Sequence, residues 1–156
     1  MWPNPNKWID FEQKRSQLGP DENKYMDRRQ LLGGKIGHWT FQLRLHHIYR
    51  ADSGRDPHNH PFRFLTFILM GGYIEEIVEP NPDGSEYAKH TLRTLTRFSL
   101  AWCPKHRYHR IDLLLGEVPT VTLVLALSDD REQRAGEWGF LKDGQYQQSA
   151  KDTSDA

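Results

Sequence analysis

Apolar and polar residues alternate one by one over much of this chain. Trp39, Phe41, Leu43 and Leu45 are separated by Thr40, Gln42 and Arg44, a period of two that predicts a strand with one buried face, continuing through His46, His47, Ile48 and Tyr49. The run from Phe62 to Met70 (Phe-Arg-Phe-Leu-Thr-Phe-Ile-Leu-Met) is rich in aromatic and branched residues at strand length, and it predicts a central strand. Gly71-Gly72 follows, then Tyr73 to Val78 as the returning strand, and Pro80-Asn81-Pro82-Asp83-Gly84 is dense turn chemistry. Further strands are predicted over 87–95, 98–102, 108–115, 118–127 with a bend near Glu117-Val118-Pro119, and 137–141 just before Asp143-Gly144. Short strands at regular spacing, with turn signals between them, predict an all-β antiparallel sandwich or barrel.

The first 32 residues break this pattern. Trp8, Ile9, Phe11 and Leu18, then Tyr25, Met26, Leu31 and Leu32, are mixed with charges and divided by Gly19-Pro20. They predict two short helices, or a helix and an arm, ending in a turn at Gly33-Gly34. Gln147 to Ala156 offers nothing to bury and predicts a frayed tail. The expected organisation is an N-terminal arm over 1–35, a barrel over 36–145 and a flexible tail over 146–156.

Composition narrows the function classes. A chain of 156 residues suits one domain, and 21 basic residues against 21 acidic ones give no global field to attract nucleic acid or an anionic membrane. Cys103 is the sole cysteine, which rules out an intramolecular disulfide and suits a reducing compartment. The start, Met1-Trp2-Pro3-Asn4-Pro5-Asn6-Lys7, is unlike a signal peptide, and no run approaches the roughly 18 apolar residues of a membrane span. A soluble, cytoplasmic protein with no nucleic-acid or membrane partner is expected.

The chemistry concentrates in Asp56-Pro57-His58-Asn59-His60-Pro61. In extended chain His58 and His60 share a face, roughly 6 to 7 Å apart, and so fix two vertices of a coordination shell if a third ligand arrives from elsewhere. Imidazole serves zinc, iron, nickel and copper alike. The later cluster His106-Arg107-Tyr108-His109 can supply the third ligand; His109 is the choice, because Arg110-Ile111-Asp112-Leu113 continues as a strand that would hold it. His106 competes from a loop after Pro104, where solvent exposure is the plainer reading. His46 can line the same cavity or cap a sheet edge. Of the adjacent carboxylates Glu75 and Glu76 only one can face inward; Glu75 shares the face of Tyr73, and it either completes the metal shell or is a solvated edge charge. Arg28, Arg29, Arg44, Arg50 and Arg63 lie among aromatics, so an anionic small molecule can find a partner, although such residues usually form a solvated face. No GxSxG elbow, phosphate-binding loop or dinucleotide fingerprint is present.

These motifs resemble the cupin superfamily. His58-Asn59-His60 is similar to the paired histidines of the first cupin motif, Gly71 or Gly72 to its closing glycine, and Pro104 with His109 to the proline and histidine of the second motif, PxGxxH. Phe64 and Leu65 stand where the usual acidic ligand falls, and His106 stands at the glycine. The chain is more closely similar to a group of small single-domain cupins of bacteria and their phages, through Leu45-His46-His47-Ile48, His58-Asn59-His60-Pro61-Phe62, Gly71-Gly72-Tyr73-Ile74-Glu75-Glu76, His109-Arg110 and Glu137-Trp138-Gly139-Phe140.

The resemblance implies a double-stranded β-helix, the cupin jelly-roll barrel, carrying a divalent metal on His58, His60 and His109. Cupins with three histidines and no acidic ligand include iron(II) thiol dioxygenases, so iron(II) is favoured, with zinc, nickel or manganese as alternatives. The leading expectation is an iron(II)-dependent oxygenase acting on a small polar substrate, with Tyr73 and Glu75 assisting catalysis and His46, His106 and Arg110 as additional pocket residues. Other small cupins isomerise or epimerise sugars with a His and Tyr pair, so a sugar or small-acid isomerase, epimerase or lyase is the first alternative. A non-enzymatic cupin that sequesters a small ligand is the second. Edge-strand pairing and the aromatics Trp2, Trp8 and Phe11 favour a homodimer, unless those rings plug one end of the protomer's own barrel.

Overall fold

The structure, a computed structural model, describes residues 8–10, 25–52, 54–79, 89–116, 119–132, 139–142 and 145–148. Its strands are β1 (Trp8–Asp10), β2 (Met26–Ile36), β3 (Trp39–Ile48), β4 (Arg63–Met70), β5 (Gly72–Glu79), β6 (Lys89–Thr96), β7 (Leu100–Cys103), β8 (Tyr108–Leu114), β9 (Thr120–Asp129), β10 (Gly139–Lys142) and β11 (Gln145–Gln148). A larger antiparallel sheet has the order β1-β2-β3-β9-β4-β7, a smaller one the order β6-β5-β8, and β10 and β11 form a hairpin.

The pairing is nested. β3 pairs with β9, His58 bridges to His109 in β8, β4 pairs with β7, and β5 pairs with β6. The chain from 39 to 129 is therefore one long hairpin folded over into two facing sheets, a jelly roll. His58 also bridges to Phe140, so a single residue carries the smaller sheet across from β8 to β10.

Two expectations need correction. Among the described residues there is no helix: Met26–Ile36 is a strand paired along β3, and Trp8–Asp10 pairs with β2 in turn. Residues 11–24 lie outside the described set. Arg28, Gln30, Leu31 and Leu32 are good helix formers, but the partner edge of β3 outweighs a propensity of a few tenths of a kcal/mol per residue. Gly33 and Gly34 fall inside β2, and the chain reverses at Gly37, where φ is +60°. The expected frayed tail, for its part, begins inside β11, which runs to Gln148.

The second correction concerns which face looks inward. Arg44, His46 and Ile48 of β3, Thr122 and Val124 of β9, and Phe64 and Thr66 of β4 line an internal cavity. By alternation, the apolar set Phe41, Leu43 and Leu45 lies on the outer face, in register with Leu127, Leu125 and Leu123, and is only half-buried. The period-two pattern predicted the strand; the barrel turns its more polar face inward.

Ile48, Ile68, Tyr73, Leu95, Ala101 and Ile111 form an apolar cluster, with Ile68 fully buried, and Ile48, Tyr73 and Ile111 also line the cavity. The β4–β5 corner requires its glycines. Gly71 has φ of +71°, and a Cβ there would stand 2.8 Å from Thr120 Oγ1; a Cβ on Gly72 would stand 2.5 Å from the Leu95 carbonyl oxygen. Thr120 Oγ1 locks the corner, donating to the Gly72 carbonyl at 2.9 Å and accepting from its N–H at 3.2 Å. No helix among the described residues is long and apolar enough to cross a membrane.

Candidate metal centre

Backbone pairing delivers the histidines. His58 N–H donates to the His109 carbonyl and His109 N–H to the His58 carbonyl, both at 3.0 Å, which fixes the two residues face to face. Asn59, between the two motif histidines, points the other way. Its buried side-chain oxygen accepts from Gly139 N–H at 2.8 Å, and its own N–H donates to the Gly139 carbonyl at 3.1 Å. The chain leading in is anchored by Asp52, whose carboxylate accepts from Ile111 N–H at 2.9 Å. His58, Asn59 and His60 thus alternate as strand residues should, with Asn59 as the structural member.

The three imidazoles converge. Ring centroids lie 5.0 Å apart for His58 and His60, 5.2 Å for His58 and His109, and 5.1 Å for His60 and His109, and one nitrogen from each ring lies within 4.8 Å of the others. His60 Nε2 and His109 Nε2 are 3.0 Å apart. Two nitrogens at about 2.1 Å from one ion and at right angles to each other would be separated by about 3 Å, so this pair has the spacing of adjacent ligands in an octahedral or facial shell. Burial also favours the neutral imidazoles that coordination needs. It pushes His58 down to about 4, with His109 adding to the shift, and it holds His60 well below the usual histidine range, with His109 and His58 contributing.

Glu75 stands behind this centre. It is buried, and its Oε1 accepts from His109 Nδ1 at 2.7 Å while Oε2 accepts from Arg93 Nε at 2.9 Å and Nη2 at 2.5 Å. Sheet register explains both contacts: Glu75 lies directly opposite Arg93 on β6 and opposite Ile111 on β8, so His109 is its diagonal neighbour. Burial pushes the Glu75 carboxyl up, but the His109 hydrogen bond and the Arg93 charge outweigh it and hold the group below its ordinary value. With His109 Nδ1 held by Glu75, Nε2 is directed toward the other two rings. The carboxylate is therefore neither a fourth ligand nor a solvated edge charge, but an orienting partner of His109.

The remaining candidates separate cleanly. Phe64, where a cupin acid would fall, packs edge-on against His60 at 5.1 Å between centroids and lies 5.6 Å from His109. Tyr73 is buried and lines the cavity, its hydroxyl hydrogen-bonded with Thr66; burial, with Glu75 adding to it, raises its pKa. His46 lines the cavity too. His106 is exposed on a turn with φ of +68°, the left-handed geometry for which a glycine is the usual choice at this motif position. Arg110 turns outward, its Nη1 donating to the Arg55 carbonyl at 3.1 Å and its Nε to Glu76. Cys103 is buried, which pushes its thiol up to about 12 and removes it as a nucleophile at neutral pH. Glu137 and Trp138 lie outside the described residues. Arg93 carried no signal in the sequence, because its partner is set by register alone.

The cavity, about 330 Å³, is lined by His58, His60 and His109 together with Phe62, Phe64, Ile48, Val124 and Met26, and by Arg28, Arg44 and His46. That volume is at the small end of ligand sites and suits a metabolite.

No family model and no curated protein sequence matches this chain. Among solved structures, the Fe(II) form of HppE with the alternative substrate (S)-1-HPP is 12% identical over 80% of this chain and 58% of that one, with a TM-score of 0.46. The DMSP lyase DddQ from Ruegeria pomeroyi DSS-3 is 21% identical over 79% and 56%, with a TM-score of 0.49. KdgF from Halomonas sp. is 12% identical over 81% and 93%, with a TM-score of 0.46. This chain spans little more than half the length of the first two.

Proposed function

We propose that this protein is a metal-dependent enzyme in which His58, His60 and His109 hold a divalent ion, iron(II) first and zinc, nickel or manganese as alternatives, and that it is an oxygenase acting on a small polar substrate. The observation that carries the reading is the convergence of three imidazoles, two of them held neutral by burial and the third backed by a buried carboxylate, at the edge of a cavity. A bound iron(II) ion would supply open coordination positions at which oxygen and substrate meet.

The chain's own residues have defined work under this reading. Glu75 accepts from His109 Nδ1 and so orients that ring, and Arg93 keeps Glu75 ionised. Phe62 and Phe64 give the cavity an apolar surface beside His60. The Tyr73 hydroxyl, raised in pKa by burial, keeps its proton at neutral pH and can donate to a substrate oxygen in the cavity.

The test begins with elemental analysis of protein purified without chelator, followed by oxygen uptake with small polar substrates. About one first-row metal ion per chain, lost together with His58 and His60, is the expected result; metal content that is unchanged in the H58A/H60A double variant would overturn it. Tyr73 sharing a cavity with the histidines favours one second reading, a sugar or small-acid isomerase, epimerase or lyase, which would turn over substrate with no oxygen consumed.

A further inference from the structure

The wall facing the histidines has a character of its own. Arg28 of β2, His46 of β3 and Thr122 of β9 are register partners in one rung, and all three face the cavity. Arg44 lies two residues along β3 on the same face. Arg44 donates from Nε to Gln42 Oε1 at 2.9 Å and from Nη2 to the same oxygen, and its guanidinium sits 5.3 Å from the Phe62 centroid. Both contacts are to neutral groups. Burial lowers the pKa of Arg44, and it brings Arg28 down to about 10 with Arg44 adding to the effect, so each cation is partly stripped of water beside the other.

Among the described residues that line the cavity, no carboxylate contacts Arg44. Asp52 is the one carboxylate among its described lining residues, and it is committed to Ile111 N–H and, at 3.8 Å, to Arg55. In the same rung, His46 Nε2 and Thr122 Oγ1 are buried without a hydrogen-bond partner. Buried polar atoms are seldom left so, and their shortfall is made good by a ligand's polar group or a water it carries. Phe62 links the two walls: its centroid is 5.3 Å from the Arg44 guanidinium and 5.3 Å from the His60 centroid, so both lie within the length of one small molecule.

We propose that the cavity takes a small carboxylate, with its anionic end seated against Arg44 and Arg28 and its other end directed toward His58, His60 and His109. Guanidinium matches carboxylate through paired N–H donors, and Arg44 keeps Nη1 for that purpose after Gln42 has taken Nε and one hydrogen of Nη2. The apolar walls between, Phe62, Phe64 and Val124, fit a short carbon chain. The seat names the substrate class for the proposed enzyme and rests on that reading only at the histidine end.

Calorimetric titration of succinate, with neutral succinamide as the control, tests this on metal-free and metal-loaded protein. Succinate is expected to bind the metal-free protein, succinamide to bind at least tenfold more weakly, Arg44→Gln to weaken succinate about 10- to 100-fold, and Arg44→Lys to retain much of the affinity. Circular dichroism melts check that both variants fold; if Arg44→Gln does not, Arg28→Gln takes its place with the same expected loss. Equal binding of succinamide, no effect of either glutamine variant, or tighter binding of inorganic phosphate than of succinate overturns the assignment. Succinate binding only to metal-loaded protein, indifferent to Arg44, removes the seat and leaves the metal centre standing. Arg44-dependent binding in protein that takes up no metal does the reverse.

Discussion

The cavity has two polar walls, and they are built in opposite ways. On the histidine side each group has an internal partner: His58 and His109 hold each other through backbone, Glu75 holds His109, and Arg93 holds Glu75. On the β2–β3 side, Arg44 has only neutral partners, and His46 Nε2 and Thr122 Oγ1 have none. A wall whose hydrogen bonds close on themselves is preorganised to hold something rigid, whereas a wall with open donors is shaped to be completed by a ligand. The two readings of this site, a metal and an anion, come from that difference.

The largest expected break in the comparison is loss of the histidine wall. The double variant H58A/H60A removes two of three ligands and is expected to carry less than one tenth of the wild-type metal by elemental analysis. It should still fold, because the bridges to His109 and Phe140 are made by backbone. Next, Glu75→Gln keeps the shape and loses the charge that orients His109; metal affinity should fall about 10- to 100-fold by competition with a chromophoric chelator. Glu75→Ala is more severe for the fold, since it removes the partner of both His109 and the partly exposed Arg93, and should cost about 1–3 kcal/mol in urea unfolding.

A pH experiment separates the walls further. Burial, with Arg28 and Arg44 adding to it, pushes His46 down to about 3, so the folded protein keeps this ring neutral while the unfolded chain protonates it below about 6.5. The unfolded state therefore binds more protons between those values. Stability from this group is present in full above pH 6.5 and falls on acidification, by up to about 1.4 kcal/mol per pH unit. Urea unfolding of metal-free protein should show a shallower acid limb in His46→Gln. The smallest effect is expected at Thr122→Val, which replaces an unpartnered buried hydroxyl with a methyl of similar shape and should be neutral or stabilising by less than about 1 kcal/mol. A loss of several kcal/mol there would show that the hydroxyl is bonded after all and that the contrast between the walls is weaker than described.

Much of the histidine wall was legible in the sequence. The HxH spacing placed His58 and His60 on one face, the strand after His109 singled it out over His106, and counting from Tyr73 put Glu75 inward. The role of Glu75 was not legible, because its partners come from β6 and β8 and only their register brings Arg93 and His109 to it. The arginine wall was only partly legible: the sequence has His46 line the cavity or cap a sheet edge and offers Arg28 and Arg44 as partners for an anion, but a solvated face is the plainer reading of the arginines. In β3 the large apolar residues mark the half-buried outer face, so the pattern that locates the strand does not show that Arg44 and His46 between them face inward. The N-terminal strands were missed because β2 carries helix-forming residues and becomes extended only by pairing with β3.

The nested pairing also sets an order of assembly. Glu79 and Lys89 meet near the hairpin's tip, Phe64 and Cys103 close a longer loop, His58 and His109 a longer one still, and Trp39 and Asp129 the longest. Loop closure costs more entropy as the loop grows, so zipping from the tip outward is the cheapest route, with the histidines meeting before β3 docks on β9. Opening from the outside would run in reverse. Amides of β3 should then exchange with solvent sooner than those of β5, so the wall proposed to greet the substrate is also the one that can breathe to admit it.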